Sequence, residues 1–344
     1  MIISSGFDSD DLEDRADAGP DVELRPLVFG ETQHGLRLDQ ALVALVPEFS
    51  RSYLQQLIVG GAVSVNRQAL CKPSARVKAA DRGAIELRPT PQSQAFKPEP
   101  MALDIVYQDE HLLVLNKPAG LVVHPAPGNW SGTLLNGLLA HDAAAVNLPR
   151  AGIVHRLDKD TSGLMVVART RRVMDALIRA IAAREVGRQY LALAHHRWIG
   201  AACRQVDRPI GRDPRNRLRM AVVDTGRHPG KAARTDIELL QNCEQGCLVR
   251  CTLHTGRTHQ IRVHMASIGH PLLADELYGG SVAGGMQRQA LHAYQLSFMH
   301  PITQQSMLFR AEVPEDLTEA LRQWGLRYNE GQWRESQHPG QSPG

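Results

Sequence analysis

Long apolar runs are missing from this 344-residue sequence, of which 43% is hydrophobic and 22% is charged. No uninterrupted apolar stretch approaches the ~20 residues that a helix needs to cross a bilayer. The N-terminus lacks the basic start and apolar segment of a secretory signal peptide. We therefore expect a cytoplasmic globular protein that does not contact membranes and is long enough for two domains.

Cysteine is scarce, with five residues in the whole chain. An odd number fits a reducing compartment better than a disulfide framework. Cys243, Cys247 and Cys251 are spaced four apart, whereas zinc sites usually combine a close cysteine pair with a second ligand pair. The alternation of Cys247, Val249, Cys251 and Leu253 instead predicts one face of a strand. We expect buried structural thiols, no metal site and no cofactor.

The net charge is only +3, but it is unevenly distributed. Residues 1–35 hold nine acidic and two basic residues, a net charge of −7, so the rest of the chain carries +10. A basic body of this kind suggests a polyanionic partner. The acidic segment has little apolar periodicity, and we predict residues 1–35 to be a mostly disordered tail.

Residues 36–88 have the pattern of a small separate unit with eight basic and four acidic side chains. Ser50 is a candidate N-cap for the second of two predicted helices. A basic module of this size suits a phosphate backbone, although a structural module with solvated charges has the same composition. The predicted elements are helices at 37–46 and 51–59 and strands at 62–66 and 84–87.

This unit resembles an S4 RNA-binding domain. Three segments carry the resemblance: RLDQAL at 37–42, SRSYLQQLIVGGAVSVN at 50–66 and KPSARVKAAD at 72–81. The resemblance implies that the unit positions RNA.

The remainder of the chain divides into a linker, a large domain and a tail. Residues 89–100 contain four prolines and predict a semi-rigid extended linker. Residues 101–328 mix strand and helix patterns with short connections, which favours the α+β class. The polar residues 329–344 predict a frayed tail. The elements predicted in the large domain are strands at 103–107, 112–115, 121–124, 190–194 and 248–253, and a helix at 173–181.

The segment HRLDKDTSG at 155–163 has the highest density of side chains that could act in catalysis. The apolar runs at 152–154 and 164–167 predict buried strands on either side of a polar turn. The turn offers Asp158 and Asp160 as acids or nucleophiles. Catalytic groups often lie on loops held by a rigid scaffold, but by spacing alone a charged turn between strands is more often simply solvated.

Four separated segments resemble the RluA-type family of pseudouridine synthases. They are NKPAGLVVHP at 116–125, AGIVHRLDKDTSGLMVVAR at 151–169, RQYLAL at 188–193 and TGRTHQIRVHMASIGHPLLAD at 255–275. Together with the S4-like unit, residues 100–107 and ALHA at 290–293, they are most similar to the RluD branch. The resemblance runs from about Arg37 to Trp324.

The resemblance implies a fold and a substrate. The fold is an S4-like domain followed by a catalytic domain whose mixed, largely antiparallel sheet is flanked by helices. The implied reaction is isomerisation of specific uridines to pseudouridine in a stem-loop of 23S large-subunit rRNA, either free or in a pre-50S particle. The resemblance also implies that the enzyme is a monomer and uses no metal or cofactor. Substrates like those of the RluC branch are the main alternative.

The resemblance also implies residue roles. Asp158 matches the essential carboxylate, which stabilises or captures C1′ as the glycosidic bond breaks. Arg262 matches the arginine that pairs with this carboxylate, and a nearby cation favours the charged form. Tyr190 matches the tyrosine that lies against the uracil ring. Arg156 matches a residue that enters the RNA as the target base flips out.

Three further RNA contacts are expected. We expect Lys117, in a turn, to contact phosphate, and His259 to lie near the substrate. Residues 204–234 hold nine basic and three acidic residues, which predicts a cationic arm for RNA, with an exposed loop as the alternative.

Two other functions compete with the synthase. The segment LDKDTSG also fits the nucleophile pattern of haloacid-dehalogenase-like phosphatases, in which Asp158 would be phosphorylated in a parallel-sheet domain with Mg²⁺. The other alternative is a catalytically inactive RNA-binding protein. Intact Asp158, Tyr190 and Arg262 argue against it.

Overall fold

Two helices and a four-stranded antiparallel sheet form the N-terminal unit of the computed structural model. The helices are α1 (Leu38–Leu45) and α2 (Arg51–Val59), and the strands are β1 (Glu23–Val28), β2 (Val63–Val65), β3 (Gln68–Ala69) and β4 (Arg82–Leu87). The strand order is β1-β4-β2-β3. Both predicted helices are confirmed, and Ser50 caps α2 by accepting a hydrogen bond from the Tyr53 amide at 3.3 Å.

The predicted boundary of the acidic tail at residue 35 is wrong. Strand β1 lies inside that segment and pairs with β4 along its whole length, from Glu23 opposite Leu87 to Val28 opposite Arg82. Leu27 and Phe29 are buried in the core of the unit. The acidic composition of the segment concealed this short apolar run, which β4 needs as a partner. Residues 1–22 lie outside the described residues.

The structure describes residues 23–87, 95–126, 128–216 and 218–328. They form two compact units that divide between Ala95 and Phe96. Most of the predicted linker before residue 95 and the predicted tail at 329–344 lie outside the described residues. From Phe96 onward the linker belongs to the second unit, where the Lys97 carbonyl accepts a hydrogen bond from Asn136 at 2.8 Å.

The second unit is built on a nine-stranded sheet with four helices. The helices are α3 (Leu134–His141), α4 (Arg171–Ala182), α5 (Gln260–Ser267) and α6 (Glu315–Gln323). The strands, including a separate β10–β11 pair, are β5 (Ile105–Gln108), β6 (Leu112–Lys117), β7 (Ser162–Ala168), β8 (Gly187–His195), β9 (Cys203–Asp207), β10 (Ile210–Arg212), β11 (Met220–Val222), β12 (Arg234–Asn242), β13 (Gly246–Leu253), β14 (Leu291–Met299) and β15 (Ser306–Arg310).

The strand order of the large sheet is β5-β6-β7-β14-β8-β13-β12-β9, and β15 also pairs with β14. Only the β7–β14 pair is parallel among the described strand pairs. Every residue of β7 is buried, as expected for an apolar central strand covered on both faces. The predicted α+β class with a largely antiparallel sheet is therefore confirmed.

Two predicted strands are wrong. Residues 121–124 form a loop whose carbonyls at Val122 and Val123 accept hydrogen bonds from the first amides of α3. Residues 152–154 contribute only a single bridge, from Ile153 to Val167. The preceding Arg150 and Ala151 have φ near +54°, which turns the chain and prevents an extended approach.

Of the three cysteines predicted to be buried structural thiols, Cys247 and Cys251 are buried and Cys243 is half-buried, whereas Cys71 and Cys203 are exposed. All five are free thiols, and Cys247 and Cys251 are completely buried on β13. Burial raises the pKa of Cys247 to about 12, so this thiol is protonated at neutral pH. Among the residues that the structure describes, no helix combines the length and apolar character needed to cross a bilayer.

Candidate active site

The loop that carries Asp158 precedes β7, at the centre of the large sheet. Leu157 is buried in the core, and the Asp158 carbonyl accepts a hydrogen bond from the Thr161 amide at 3.1 Å, which closes a turn. Gly163 has a φ of +117°, and a Cβ there would lie 2.2 Å from the carbonyl oxygen of Ala293. Only glycine permits this close approach of β7 and β14.

Lys117 is buried against this loop and supports its main chain. The prediction that Lys117 contacts phosphate is therefore wrong. Its side chain is completely buried, and Nζ donates hydrogen bonds to the carbonyls of Pro118, Leu121 and Lys159 at 2.8–2.9 Å. Burial lowers the pKa of Lys117 to about 8, although the charges of Asp160 and Asp158 oppose that shift. All three donors are used within the protein, and none is available to RNA.

Arg288 holds the other end of the loop, which the sequence analysis missed. Its Nη1 donates to the Asp160 carbonyl at 2.9 Å. Its Nε and Nη2 form a two-point pair with Asp316 on α6 at 2.6 and 2.9 Å. Lys117 and Arg288 thus fix the main chain after Asp158 from two directions, which restricts where the carboxylate can move.

Arg262, on α5, joins Asp158 to a second carboxylate. Its Nη1 donates to Asp158 Oδ2 at 3.2 Å. Its Nε and Nη2 donate to the two oxygens of Asp275, both at 2.7 Å. The pair with Asp158 was predicted from the sequence, whereas Asp275 was not, although it is the last residue of the segment 255–275. One guanidinium is therefore shared by two carboxylates, and Asp275 has the stronger geometry.

The charge of Arg262 is secure in this setting. Burial would lower its pKa, but hydrogen bonds and charge from Asp275 and then Asp158 raise it above the usual value. The guanidinium also lies over the Tyr278 ring, 5.0 Å from its centroid. The Asp275 side chain is only 1% exposed, whereas that of Asp158 is 16% exposed. Asp158 is thus the carboxylate of the pair that solvent or a ligand can reach.

His259 lies next to Asp158 and begins α5 in the left-handed conformation, with φ of +56°. Its Nε2 is 3.9 Å from Asp158 Oδ1, and its Nδ1 is 2.8 Å from the Tyr278 hydroxyl. Burial lowers the pKa of His259 despite the opposing charge of Asp158. The imidazole is therefore neutral at pH 7.

Tyr190 lies on β8 in the same apolar cluster as Leu157 and is 5% exposed. Burial raises the pKa of Tyr190 to about 12; the charge of Arg188 opposes the shift and that of Asp158 adds to it. The phenol is protonated at neutral pH and lies within electrostatic range of Asp158.

Arg156 is exposed, and its charge contributes to the lowered pKa of His259.

The structure therefore brings five of the six predicted site residues into one region: Asp158, Arg262, His259, Tyr190 and Arg156. Lys117 lies under the loop instead. The parallel-sheet domain that the phosphatase alternative requires is contradicted by the antiparallel sheet. Among the described residues, no cluster of three or more His, Cys, Asp or Glu side chains has metal-binding geometry.

The chain is similar to known proteins along most of its length. Residues 111–267 match the family described as RNA pseudouridylate synthase, and residues 36–82 match the S4 domain. The chain is 48% identical over 298 residues to ribosomal large subunit pseudouridine synthase D of Neisseria meningitidis serogroup B, covering 83% of this chain and 78% of that protein.

Two further relatives extend the likeness. The Yersinia pestis protein of the same name is 44% identical over 316 residues, with coverage of 87% of this chain and 94% of its own. The solved structure of human RNA pseudouridylate synthase domain containing 1 superimposes with a TM-score of 0.54 at 25% identity, covering 72% of this chain and all of that chain.

Proposed function

The chain belongs to the RNA pseudouridylate synthase family, and on this premise we propose that it converts uridines of large-subunit ribosomal RNA, in a stem-loop of 23S rRNA, to pseudouridine. The observation that carries the proposal is the reachable carboxylate of Asp158, held by Arg262 beside the buried ring of Tyr190. The names of the similar ribosomal large subunit synthases support the choice of RNA.

The chemistry needs a carboxylate in this setting. Isomerisation breaks the N1–C1′ bond of uridine, turns the base and joins C5 to C1′. Positive charge develops at C1′ as the first bond breaks, and an adjacent carboxylate stabilises this charge or captures the sugar. We assign this role to Asp158. Arg262 positions it, and the pairing of Arg262 with Asp275 prevents the guanidinium from covering both oxygens of Asp158.

Access to the base requires that the nucleotide leave its helix, at a cost of a few kcal/mol. Arg156, exposed beside the site, is suited to enter the vacated space because a guanidinium can both stack and contact phosphate. Tyr190 would stack on the extruded uracil, and neutral His259 would lie beside Asp158. Tyr190 also carries a protonated hydroxyl that can assist the final loss of the C5 proton.

RNA binding would extend beyond the site. The N-terminal unit exposes Arg67, Lys72, Arg76, Lys78 and Arg82. The 204–234 segment is exposed over much of its length and is mostly basic, although some of its arginines pair with acidic neighbours. A monomer acting in the cytoplasm on a pre-50S particle completes the proposal. Deletion of the N-terminal unit should weaken RNA binding and flatten its salt dependence, because fewer counterions are released.

The function is tested by mapping pseudouridines in 23S rRNA from cells with and without this protein, and then with purified protein on rRNA and on pre-50S particles. We expect one or a few uridines to depend on it. Asp158→Asn should abolish turnover, by about 10⁴-fold or more, while RNA affinity is retained. An unchanged map, with RNA binding intact, would favour the inactive RNA-binding alternative.

The role of Tyr190 is tested by separating its ring from its hydroxyl. Tyr190→Phe should bind RNA with near-normal affinity, because ring stacking worth ~1–3 kcal/mol is kept, but should release little pseudouridine. Wild-type turnover by Tyr190→Phe together with an inactive Tyr190→Ala would limit the role to stacking. Activity of both variants would remove Tyr190 from the mechanism.

A further inference from the structure

Three arginines of the catalytic unit are buried, and only two of them have acidic partners among the described residues. Arg250 pairs with Glu238, and Arg262 pairs with Asp275 and Asp158. Arg188 is the most buried of the three, at 5% exposure. No described ion pair or hydrogen bond involves its guanidinium, and its Nε is fully enclosed without a partner.

Such a group is unusual because an unpaired buried charge is costly. Lysine and histidine can relieve the cost by losing their proton, but arginine stays charged. A buried arginine without a partner in the protein has donors available for an anion that binds from outside. The described residues of the catalytic unit supply no such partner.

The position of Arg188 identifies where this partner would lie. Arg188 and Tyr190 are two residues apart on β8, so their side chains project from the same face of the strand. Nη1 of Arg188 lies 3.0 Å from the point that a Cβ on Gly256 would occupy, so the bare backbone of Gly256 makes room for it. Burial raises the pKa of Tyr190, and the charge of Arg188 partly offsets that rise; burial and then the charge of Arg188 lower the pKa of His155 in the Asp158 loop. Arg188 thus lies within electrostatic range of both the proposed base-stacking residue and the loop that carries Asp158.

We propose that Arg188 binds the uracil base of the target nucleotide after it detaches from the sugar, and compensates the negative charge that the base then carries. This inference rests on the proposed function. When the N1–C1′ bond breaks, its electron pair stays on the base and spreads over N1, O2 and O4, while Asp158 stabilises or captures C1′. The charge is removed when C5 bonds to C1′, N1 takes up a proton and C5 loses one. A guanidinium that is already desolvated and fixed stabilises such a transient anion without reorganisation.

The test compares the base with a version that is a better leaving group. Stem-loop RNA is prepared with uridine or with 5-fluorouridine at the target position, because fluorine withdraws electrons and stabilises the detached anion. Loss of the starting nucleoside is measured in single turnover for wild type, Arg188→Gln, Arg188→Lys and the matched control Arg179→Gln, an exposed arginine on α4. Thermal unfolding and RNA affinity at several salt concentrations are measured for each protein.

For the uridine RNA we expect Arg188→Gln to be slowed about 10²–10³-fold, as for loss of one group that stabilises charge in a transition state. The defect should shrink by at least about tenfold with 5-fluorouridine, because less stabilisation is required. Arg188→Lys should recover part of the rate, and Arg179→Gln should resemble wild type. RNA affinity and its salt dependence should not change.

Other outcomes would overturn the inference. Equal defects with both RNAs would mean that Arg188 does not act on the leaving base. Weaker binding with a salt slope reduced by about one would identify a phosphate contact instead. Wild-type rates in Arg188→Gln would leave it no role in the reaction. Failure of the proposed function is distinguishable, because wild-type protein would then convert neither RNA.

Discussion

Each of the two units contains a carboxylate bound by arginine, and the two arrangements are opposite. In the N-terminal unit, Asp39 is completely buried and accepts hydrogen bonds from Arg37, Arg51 and Gln55. In the catalytic unit, the arginine is the shared partner: Arg262 gives two short hydrogen bonds to Asp275 and one longer one to Asp158.

The difference separates a structural carboxylate from a reactive one. Burial would raise the pKa of Asp39, but the donors around it outweigh burial and hold the pKa far below its usual range. Its lone pairs are committed to the fold. Asp158 is partly exposed, and Arg262 is its one close hydrogen-bond donor among the described residues. A nucleophile or charge stabiliser needs such free lone pairs, which a saturated carboxylate lacks.

The strongest way to break this contrast is Arg262→Lys. Lysine keeps the charge but cannot bond Asp158 and Asp275 at once in one plane. We expect turnover to fall about 10²–10³-fold, with RNA affinity changed much less. Single-turnover rates and RNA titrations measure the two effects, and Arg250→Lys, at the buried arginine that pairs with Glu238, is the matched control. A wild-type rate would exclude Arg262 from the pair.

Asp275→Asn should have a smaller effect, since it releases Arg262 without removing it. The freed guanidinium can then turn towards Asp158 and occupy lone pairs that the reaction needs. We expect Asp275→Asn to lower turnover about 10–100-fold. When Asp275→Asn is combined with Arg262→Lys, the total loss of transition-state stabilisation should be smaller than the sum of the two separate losses. Glu319→Gln, in an exposed pair with Arg322, is the control. Additive effects in the double variant would show that Asp275 does not act through Arg262.

Segments with local signals were predicted well from the sequence. Helix α2 begins and ends at the predicted residues because Ser50 caps it and glycines follow it. The Asp158–Arg262 pair was predicted through the resemblance of two long segments. Arg288 was missed because its role depends on a partner far along the chain, the Asp160 carbonyl. Asp275 was missed because its pairing with Arg262 depends on how the chain folds back after α5.

Errors arose where a local pattern was overruled by contacts that form only in the fold. Lys117 has the composition of a turn next to proline, but β6 carries it into the core, where three carbonyls surround it. Strand β1 has an acidic surrounding sequence, but β4 pairs with it over six residues. In both cases, tertiary hydrogen bonds outweighed the local composition.

The support beneath the reactive carboxylate is tested by Lys117→Met. Three buried carbonyls would lose their partner, and we expect a loss of about 2–4 kcal/mol in the free energy of unfolding with a moderate fall in turnover as the loop loosens. Because the pKa of Lys117 is lowered, the unfolded chain holds more protons above pH 8. Wild-type stability should therefore gain from this group between pH 8 and about 10.4, and the variant should lack that gain.

The measurement for Lys117→Met is denaturant unfolding of the wild-type and variant proteins at pH 7, 8, 9 and 10. Lys159→Met, at an exposed lysine of the same loop, is the control and should keep both stability and pH profile. Equal stabilities of Lys117→Met and wild type would contradict the proposed support of the loop by Lys117.

The smallest effect on activity is expected at Asp39, the buried carboxylate whose oxygens are already occupied by hydrogen bonds. Asp39→Asn removes the charge that Arg37 and Arg51 share and should cost the N-terminal unit about 1–3 kcal/mol, while single-turnover rates at saturating RNA stay unchanged.

Because the pKa of Asp39 is lowered in the folded protein, its contribution to stability is fully present above about pH 4. It declines as the pH falls towards the folded-state pKa, so the wild type and the variant should converge in stability in acid. Amide hydrogen exchange in α1 and α2 at pH 7 and near pH 3 measures the difference within the full chain. Glu31→Gln, at an exposed carboxylate of the same unit, should leave exchange unaltered. A rate defect in Asp39→Asn at saturating RNA would mean that this carboxylate is not purely structural, and the distinction between the two arrangements would fail.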